Sequence, residues 1–330
     1  MPRSKSFPLR AIAWACLAVA QLVWLPTVRA DGIPVAPIVY KEIKLAGNSG
    51  NVFALGFMPF EAGKLYWTTD EGGMAHLYTY DLGSQAAVEL DAVIPPSFLP
   101  SGFVWSPDGR QAAMIRGPAL KLVGIGVRAT HNLFLGTGQW GPMFWTPNRS
   151  ILSACAPDAQ VSRRLCAVDT STGLVTVLAA PGEGSVYAVG YIEGVNKVIY
   201  ERWNPGEAPN PVHIYSASIF SDHVGNVMPL AYPDISGQGY LTVTPDGRYG
   251  VTIGQATQAK GKISDVYLGD FSTGNWTRVS SRADWGQASM AVLSPDHRYL
   301  VVATPDGKGG YRLWLADVPD KVFDSLGASH

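Results

Sequence analysis

Short apolar runs alternate along this chain with turn clusters of Pro, Asp, Asn, Gly and Ser, a pattern that predicts strands and tight turns in place of helices. Five segments share one plan: an apolar strand, a Pro-containing turn and a second apolar strand. They are Phe57-Met58-Pro59-Phe60, Trp105-Ser106-Pro107-Asp108-Gly109-Arg110, Trp145-Thr146-Pro147-Asn148-Arg149, Thr244-Pro245-Asp246-Gly247-Arg248 and Ser294-Pro295-Asp296-His297-Arg298. A sixth, Tyr191-Ile192-Glu193-Gly194, lacks the proline but precedes the same kind of strand. The strands after the turns are expected at 64–69, 111–115, 151–155, 197–201, 249–253 and 299–303. A third strand closing on an acidic turn recurs in HLYTYDLG (76–83), LCAVDTSTG (165–173), VYLGDFSTG (266–274) and RLWLAD (312–317), and fourth strands follow at 174–178 and 276–280.

Residues 59, 107, 147, 193, 245 and 295 anchor these units at intervals of 48, 40, 46, 52 and 50 residues, the spacing of β-propeller blades. Six four-stranded antiparallel meanders are expected, over about 49–90, 98–135, 140–179, 185–229, 239–280 and 289–318. The last unit runs out after its third strand at Asp317, and an unassigned strand, IVYKEIKL at 38–45, precedes the first. That strand is expected to supply the missing outer strand and close the ring.

Composition narrows the class further. Hydrophobic residues make up 47% of the 330, and charged residues only 15% against about 25% in ordinary soluble domains, which excludes coiled coils, helix bundles and charged disordered chains. Residues 1–30 have a basic start (Arg3, Lys5, Arg10), an apolar run from Ala11 to Leu25, and Val28-Arg29-Ala30 before Asp31. This is the three-part plan of a secretory signal cleaved after Ala30, leaving a single propeller domain over 31–330. The apolar run, with Gln21 inside it, is too short for a membrane anchor, and Trp14 does not suit a lipoprotein cleavage box at Cys16. Without residues 1–30 the chain keeps 21 Lys and Arg against 26 Asp and Glu, a formal charge of −5. Nucleic acid, which needs clustered positive charge, is an unsuitable partner. Two cysteines remain, Cys155 and Cys166, and in an oxidising compartment they are expected to form a structural disulfide.

The WSPDGR phrase at 105–110, its degenerate copies and the downstream strand-Asp-turn elements resemble the propeller repeats of the TolB family, over essentially residues 38–318. The resemblance implies a TolB-like propeller without the α/β domain that precedes it in TolB. It also implies a face that docks another envelope protein or peptide, while the leader at 1–30 points to a periplasmic or otherwise secreted location after cleavage.

Local chemistry is sparse. Asp108, Asp246 and Asp296 read as turn residues instead of catalytic or calcium-binding carboxylates, because Pro-Asp-Gly supplies a preset φ, a side-chain acceptor for the backbone and a permissive last residue. Arg110, Arg149, Arg248 and Arg298 follow those turns and read as edge cover or partners of neighbouring carboxylates. GTGQWG (136–141) and the looser 124–129 segment lack the following helix that a dinucleotide site needs. No GxSxG, HExxH, CxxC or CxxCH motif occurs. His213 and His223 would face each other if their strands turned near Ser218, but no third ligand at metal spacing accompanies them. No catalytic, cofactor-binding or metal-binding residue is therefore assigned.

The longest connections, joining second to third strands and fourth to next-first strands, emerge on one face of a propeller. Phe98, Trp140, Trp203, Tyr232 and Trp285 belong to them and are the candidate partner-binding residues, since rigidly held loops carry function and exposed aromatics mark hot spots. The functional expectation is an exported, non-catalytic binding module of the cell envelope. The alternative is a propeller lyase, or a lactone or ester hydrolase, with an axial site that works with or without a metal.

Overall fold

The computed structural model describes residues 28–29, 36, 38–43, 51–59, 61–71, 74–90, 102–116, 119–124, 130–134, 139–148, 150–156, 163–178, 185–192, 194–203, 212–236, 241–256, 265–280 and 287–327. They form six sheets whose blade strands run antiparallel, first to fourth outward, with the short strand Val28–Arg29 added in parallel to the fifth, and the innermost blade strands neighbour one another in sequence order and back to the first. The molecule is a six-bladed β-propeller.

Blade one comprises Asn51–Met58, Glu61–Glu71, Met74–Asp81 and Ala86–Leu90. Blade two comprises Gly102–Trp105, Gln111–Arg116, Ala119–Gly124 and Thr130–Phe134. Blade three runs Gln139–Trp145, Ser150–Ala156, Arg164–Asp169 and Val175–Leu178. Blade four runs Ser185–Ile192, Lys197–Trp203, Val212–Ile219 and Val224–Leu230. Blade five has Tyr249–Ala256, Asp265–Asp270 and Asn275–Arg278 outside an inner strand in two pieces, Pro233–Ser236 and Thr242–Val243. Blade six has Met290–Leu293, Tyr299–Pro305 and Tyr311–Asp317.

The expected closure is present. Lys41–Ile43 pairs antiparallel with Leu313–Leu315 and becomes the fourth strand of blade six. Ala36 N–H donates to the Arg278 carbonyl at 2.9 Å, and the Tyr40 hydroxyl donates to the Val279 carbonyl at 3.1 Å. The segment before the closing strand is thus tied to blade five as well.

The unbroken apolar runs of the second strands follow from the architecture, because each such strand is buried on both faces and sends alternate side chains to different interfaces. In blade six, Leu300 and Val302 join a core shared with blade five, while Val301 and Ala303 join the core shared with blade one. In blade four, Val198 and Tyr200 face blade three, and Ile199 faces blade five. Six such clusters, one per interface, complete the circle.

The Pro-Asp-Gly segments are turns, as their chemistry predicts. Ser106 Oγ donates to Asp108 Oδ1 at 2.6 Å, the Arg110 N–H donates to the same oxygen at 3.1 Å, and Gly109 takes φ 67°. Ser294 and Asp296 repeat the arrangement at 2.6 Å, with His297 holding the left-handed position at φ 62° that glycine holds in the sister turns. These bonds keep Asp108 below the usual carboxylate range, the Ser106 hydroxyl contributing most. A second repeated turn uses Asp169 and Asp270, whose Oδ1 atoms each accept the N–H of the serine two residues on at 2.7 Å.

One element has no counterpart in the strand pattern. A six-residue helix, Asp320–Ser325, follows blade six, buries Val322 and Phe323, and sets the Phe323 ring 5.0 Å from that of Tyr249. Thr273 Oγ1 and Asn275 Nδ2 donate to the Leu326 carbonyl at 2.9 and 3.0 Å. The helix therefore seals the seam between blades five and six from the short-turn side.

Candidate functional site

Blade four carries the most chemically loaded end of the long-loop face among the described residues. Its second strand, KVIYERW, ends on Glu201, Arg202 and Trp203 immediately before residues 204–211. Strand alternation puts Arg202 on the blade-three side and Glu201 and Trp203 on the blade-five side.

On the first side, Tyr200, opposite Tyr215 in the ladder, stacks on it with ring centroids 5.6 Å apart. The Arg202 guanidinium carbon lies 4.5 Å from the Tyr215 ring centre, and Nη2 donates to the Tyr215 hydroxyl at 2.6 Å. Cation–π stacking and a charge-assisted hydrogen bond together lock a long cationic side chain into one pose. Burial raises the Tyr200 hydroxyl to about 12, although Arg202 pulls the other way.

On the second side, Glu201 is part-buried, and its Oε1 is cut off from solvent without a hydrogen-bond partner. Desolvation alone lifts its carboxyl to about 7, so it exchanges its proton near neutrality. Tyr232 lies across the interface, 8% exposed, its hydroxyl 2.9 Å from Thr252 Oγ1. Burial raises the Tyr232 phenol, and the Glu201 charge adds to that rise. Trp203, two positions beyond Glu201 on the same side, is 39% exposed.

The candidate aromatics thus separate. Trp203 is exposed on the long-loop face, whereas Tyr232 packs between blades four and five. Trp140 lies within the innermost strand of blade three, in register with Cys155. Phe98 and Trp285 lie outside the described residues. Sequence reading did not single out Glu201 and Arg202; the available signal was two adjacent charges inside an apolar strand, just ahead of a long Pro-rich connection.

His213 and His223 do not face each other. The hairpin turns at 220–223, beyond Ser218, so His213 pairs in register with Arg202 near the long-loop end while His223 sits in the opposite turn, its ring 4.7 Å from Phe220. Among the described residues no three His, Cys, Asp or Glu side chains come together as a metal site. A groove of about 500 Å³ lies on the short-turn face at the closure seam, lined by Lys41, Tyr80, Gln85, Tyr299 and Lys321 among others, and is remote from Trp203.

Cys155 and Cys166 stand at disulfide distance on adjacent strands of blade three, Cα atoms 5.8 Å apart and both side chains buried. Protein isolated from an oxidising compartment without reductant is expected to show no alkylatable thiol at these positions. Two alkylated cysteines by mass spectrometry would overturn the pairing. Replacing both with Ala is expected to cost about 2–3 kcal/mol, the loop-entropy contribution of a bridge over so short a span.

No helix among the described residues is long and apolar enough to cross a membrane. No known protein family matches the sequence, and no curated protein is similar to it. Solved structures are similar in fold. An oligogalacturonate lyase in complex with manganese superposes with a TM-score of 0.55 at 16% identity, covering 87% of this chain and 98% of its own. TolB from Acinetobacter baumannii gives 0.54 at 16% identity over 77% of this chain and 64% of its own, and a putative TolB from Agrobacterium tumefaciens gives 0.57 at 16% over 82% and 91%. At such identities the likeness shows a shared architecture, and the chain is a six-bladed propeller in fold, as these TolB and lyase structures are.

Proposed function

We propose that this protein is an exported, non-catalytic binding module that captures another protein of the cell envelope through its long-loop face. The observation that carries the reading is the long-loop end of blade four, where a solvent-exposed Trp203 lies on one side of the strand and an Arg202 held rigid on Tyr215 lies on the other. Trp and Arg dominate interface hot spots, and a side chain already fixed in place loses little further entropy on binding. The TolB-like architecture supports the same reading by analogy of fold.

Trp203→Ala, with Trp285→Ala beside it, is expected to weaken partner capture from native envelope extracts by roughly thirtyfold, the effect of losing about 2 kcal/mol from a buried anchor. Melting should stay near wild type. Arg110→Ala and Arg248→Ala on the short-turn face should leave capture intact. Tryptophan variants that fold normally and keep every crosslinked partner would refute the binding face.

A second reading has one specific observation behind it. Glu201, with a carboxyl near 7 and an unpartnered oxygen, has the character of a general acid or base, and oligogalacturonate lyases share the architecture. Turnover of an acidic oligosaccharide, lost in Glu201→Gln, would favour it over the binding module.

A further inference from the structure

Blade five differs from its neighbours at the axis. Its inner strand is split, and both pieces pair antiparallel with Tyr249–Ala256: Ile235 and Ser236 oppose Ala256 and Gln255, while Thr242 and Val243 oppose Val251 and Gly250. The register differs by two residues between the pieces. Pro233–Ser236 follows directly on the connection from blade four and therefore lies at the long-loop end. One edge of this piece bonds outward to Gln255 and Ala256. The other edge faces the central axis, because the first strand is the innermost of a propeller blade.

That axial edge is occupied. Val28–Arg29 pairs with it in parallel, Val28 in register with Pro233 and Arg29 with Asp234. Among the described residues no other strand reaches this edge. The occupant is the end of the segment whose sequence plan is that of a cleaved leader.

We propose that the axial edge of Pro233–Ser236, at the long-loop mouth of the channel, is a strand-accepting site for an extended polypeptide segment bearing a basic residue opposite Asp234. The uncleaved chain fills it with its own Val28–Arg29, and removal of residues 1–30 opens it to a segment of the partner. The inference rests on the export reading and deepens the binding reading. An open strand edge is a ready template for another chain, and peptide recognition by strand addition draws affinity from main-chain bonds and specificity from side chains in register. Pro233 begins the strand, the position where a missing N–H interrupts the ladder least. Asp234 and Arg29 occupy partner positions in that register, an acidic residue opposite a basic one.

The test compares the full chain, with cleavage blocked, against the chain beginning at Asp31, using a fluorescent peptide of residues 26–31 as probe. Saturable binding to the shorter chain is expected, with binding to the full chain at least about tenfold weaker, because a tethered competitor acts at an effective concentration of order millimolar. Amide exchange at 234–236 should be slower in the full chain, a comparison that needs no substitution. Asp234→Lys should weaken the peptide about fivefold, and a peptide carrying Asp in place of Arg29 should recover it. Equal binding to both chains, no saturable binding to the shorter one, equal exchange at 234–236, or an intact N-terminus on exported protein overturns the proposal. Capture of an envelope partner without peptide binding sinks this inference alone, whereas peptide binding without any captured partner sinks the binding reading of the preceding section.

Discussion

Deleting residues 31–46 from the mature chain is expected to lower its melting temperature by about 8 °C, although the deletion lies outside every complete hairpin. Three losses add up. The ladder between Lys41–Ile43 and Leu313–Leu315 disappears, leaving the third strand of blade six as a bare edge. Ile43, 4% exposed in the core between blades six and one, and Ile38, 6% exposed between blades five and six, both leave, and each contributes roughly 1.5–3 kcal/mol by burial. The hydrogen bonds from Ala36 N–H and the Tyr40 hydroxyl to the Arg278 and Val279 carbonyls go as well. The total is about 5 kcal/mol, and for the 300 residues of 31–330, at about 2.1 cal/mol/K per residue, each kcal/mol corresponds to about 1.6 °C. A truncated protein that melts where the parent does would show that the ring closes by other means. Ile43→Ala in the intact chain separates packing from pairing, since it empties part of one core and leaves the ladder in place.

The closure was legible before any coordinates because the deficit was countable: the last unit stopped at three strands, and one apolar strand stood unclaimed at the other end. The blades were legible for a similar reason. Pro-Asp-Gly fixes a turn through local bonds, such as Ser106 Oγ and the Arg110 N–H to Asp108, that need no tertiary context. What escaped was set by context. The helix at 320–325 is too short to show a helical period, and it exists because Val322, Phe323 and Leu326 fill the seam beside Tyr249. The split inner strand of blade five was unreadable because a change of register has no composition of its own. Tyr232 adjoins a connection, the setting of a rim aromatic, but the preceding strand turns it inward against Trp276, ring centroids 5.7 Å apart.

Burial of Glu201 predicts an unusual pH response. Its carboxyl titrates near 4.5 when exposed and near 7 in the fold, so between those values the folded state holds a proton that the unfolded chain has released. Stability contributed by this residue is therefore highest below about pH 4.5, falls as pH rises, and is fully lost above about pH 7. The gap corresponds to about 3 kcal/mol at most, an upper limit because the residue keeps some contact with solvent. Asp246 has the opposite sign. Burial would raise it, but His297, the Thr244 hydroxyl and the Arg248 N–H together hold it at about 2, so its contribution is present above about pH 4 and is lost as pH falls through 2. The two windows do not overlap, which lets a single substitution isolate the first. Glu201→Gln keeps the shape and removes the charge, so urea midpoints of variant and parent should coincide at pH 4.5 and diverge at pH 8, with the variant more stable. Curves that stay parallel from pH 4.5 to 8 would show that Glu201 meets water or a counter-charge after all, and would remove its claim to act as a proton carrier near neutrality.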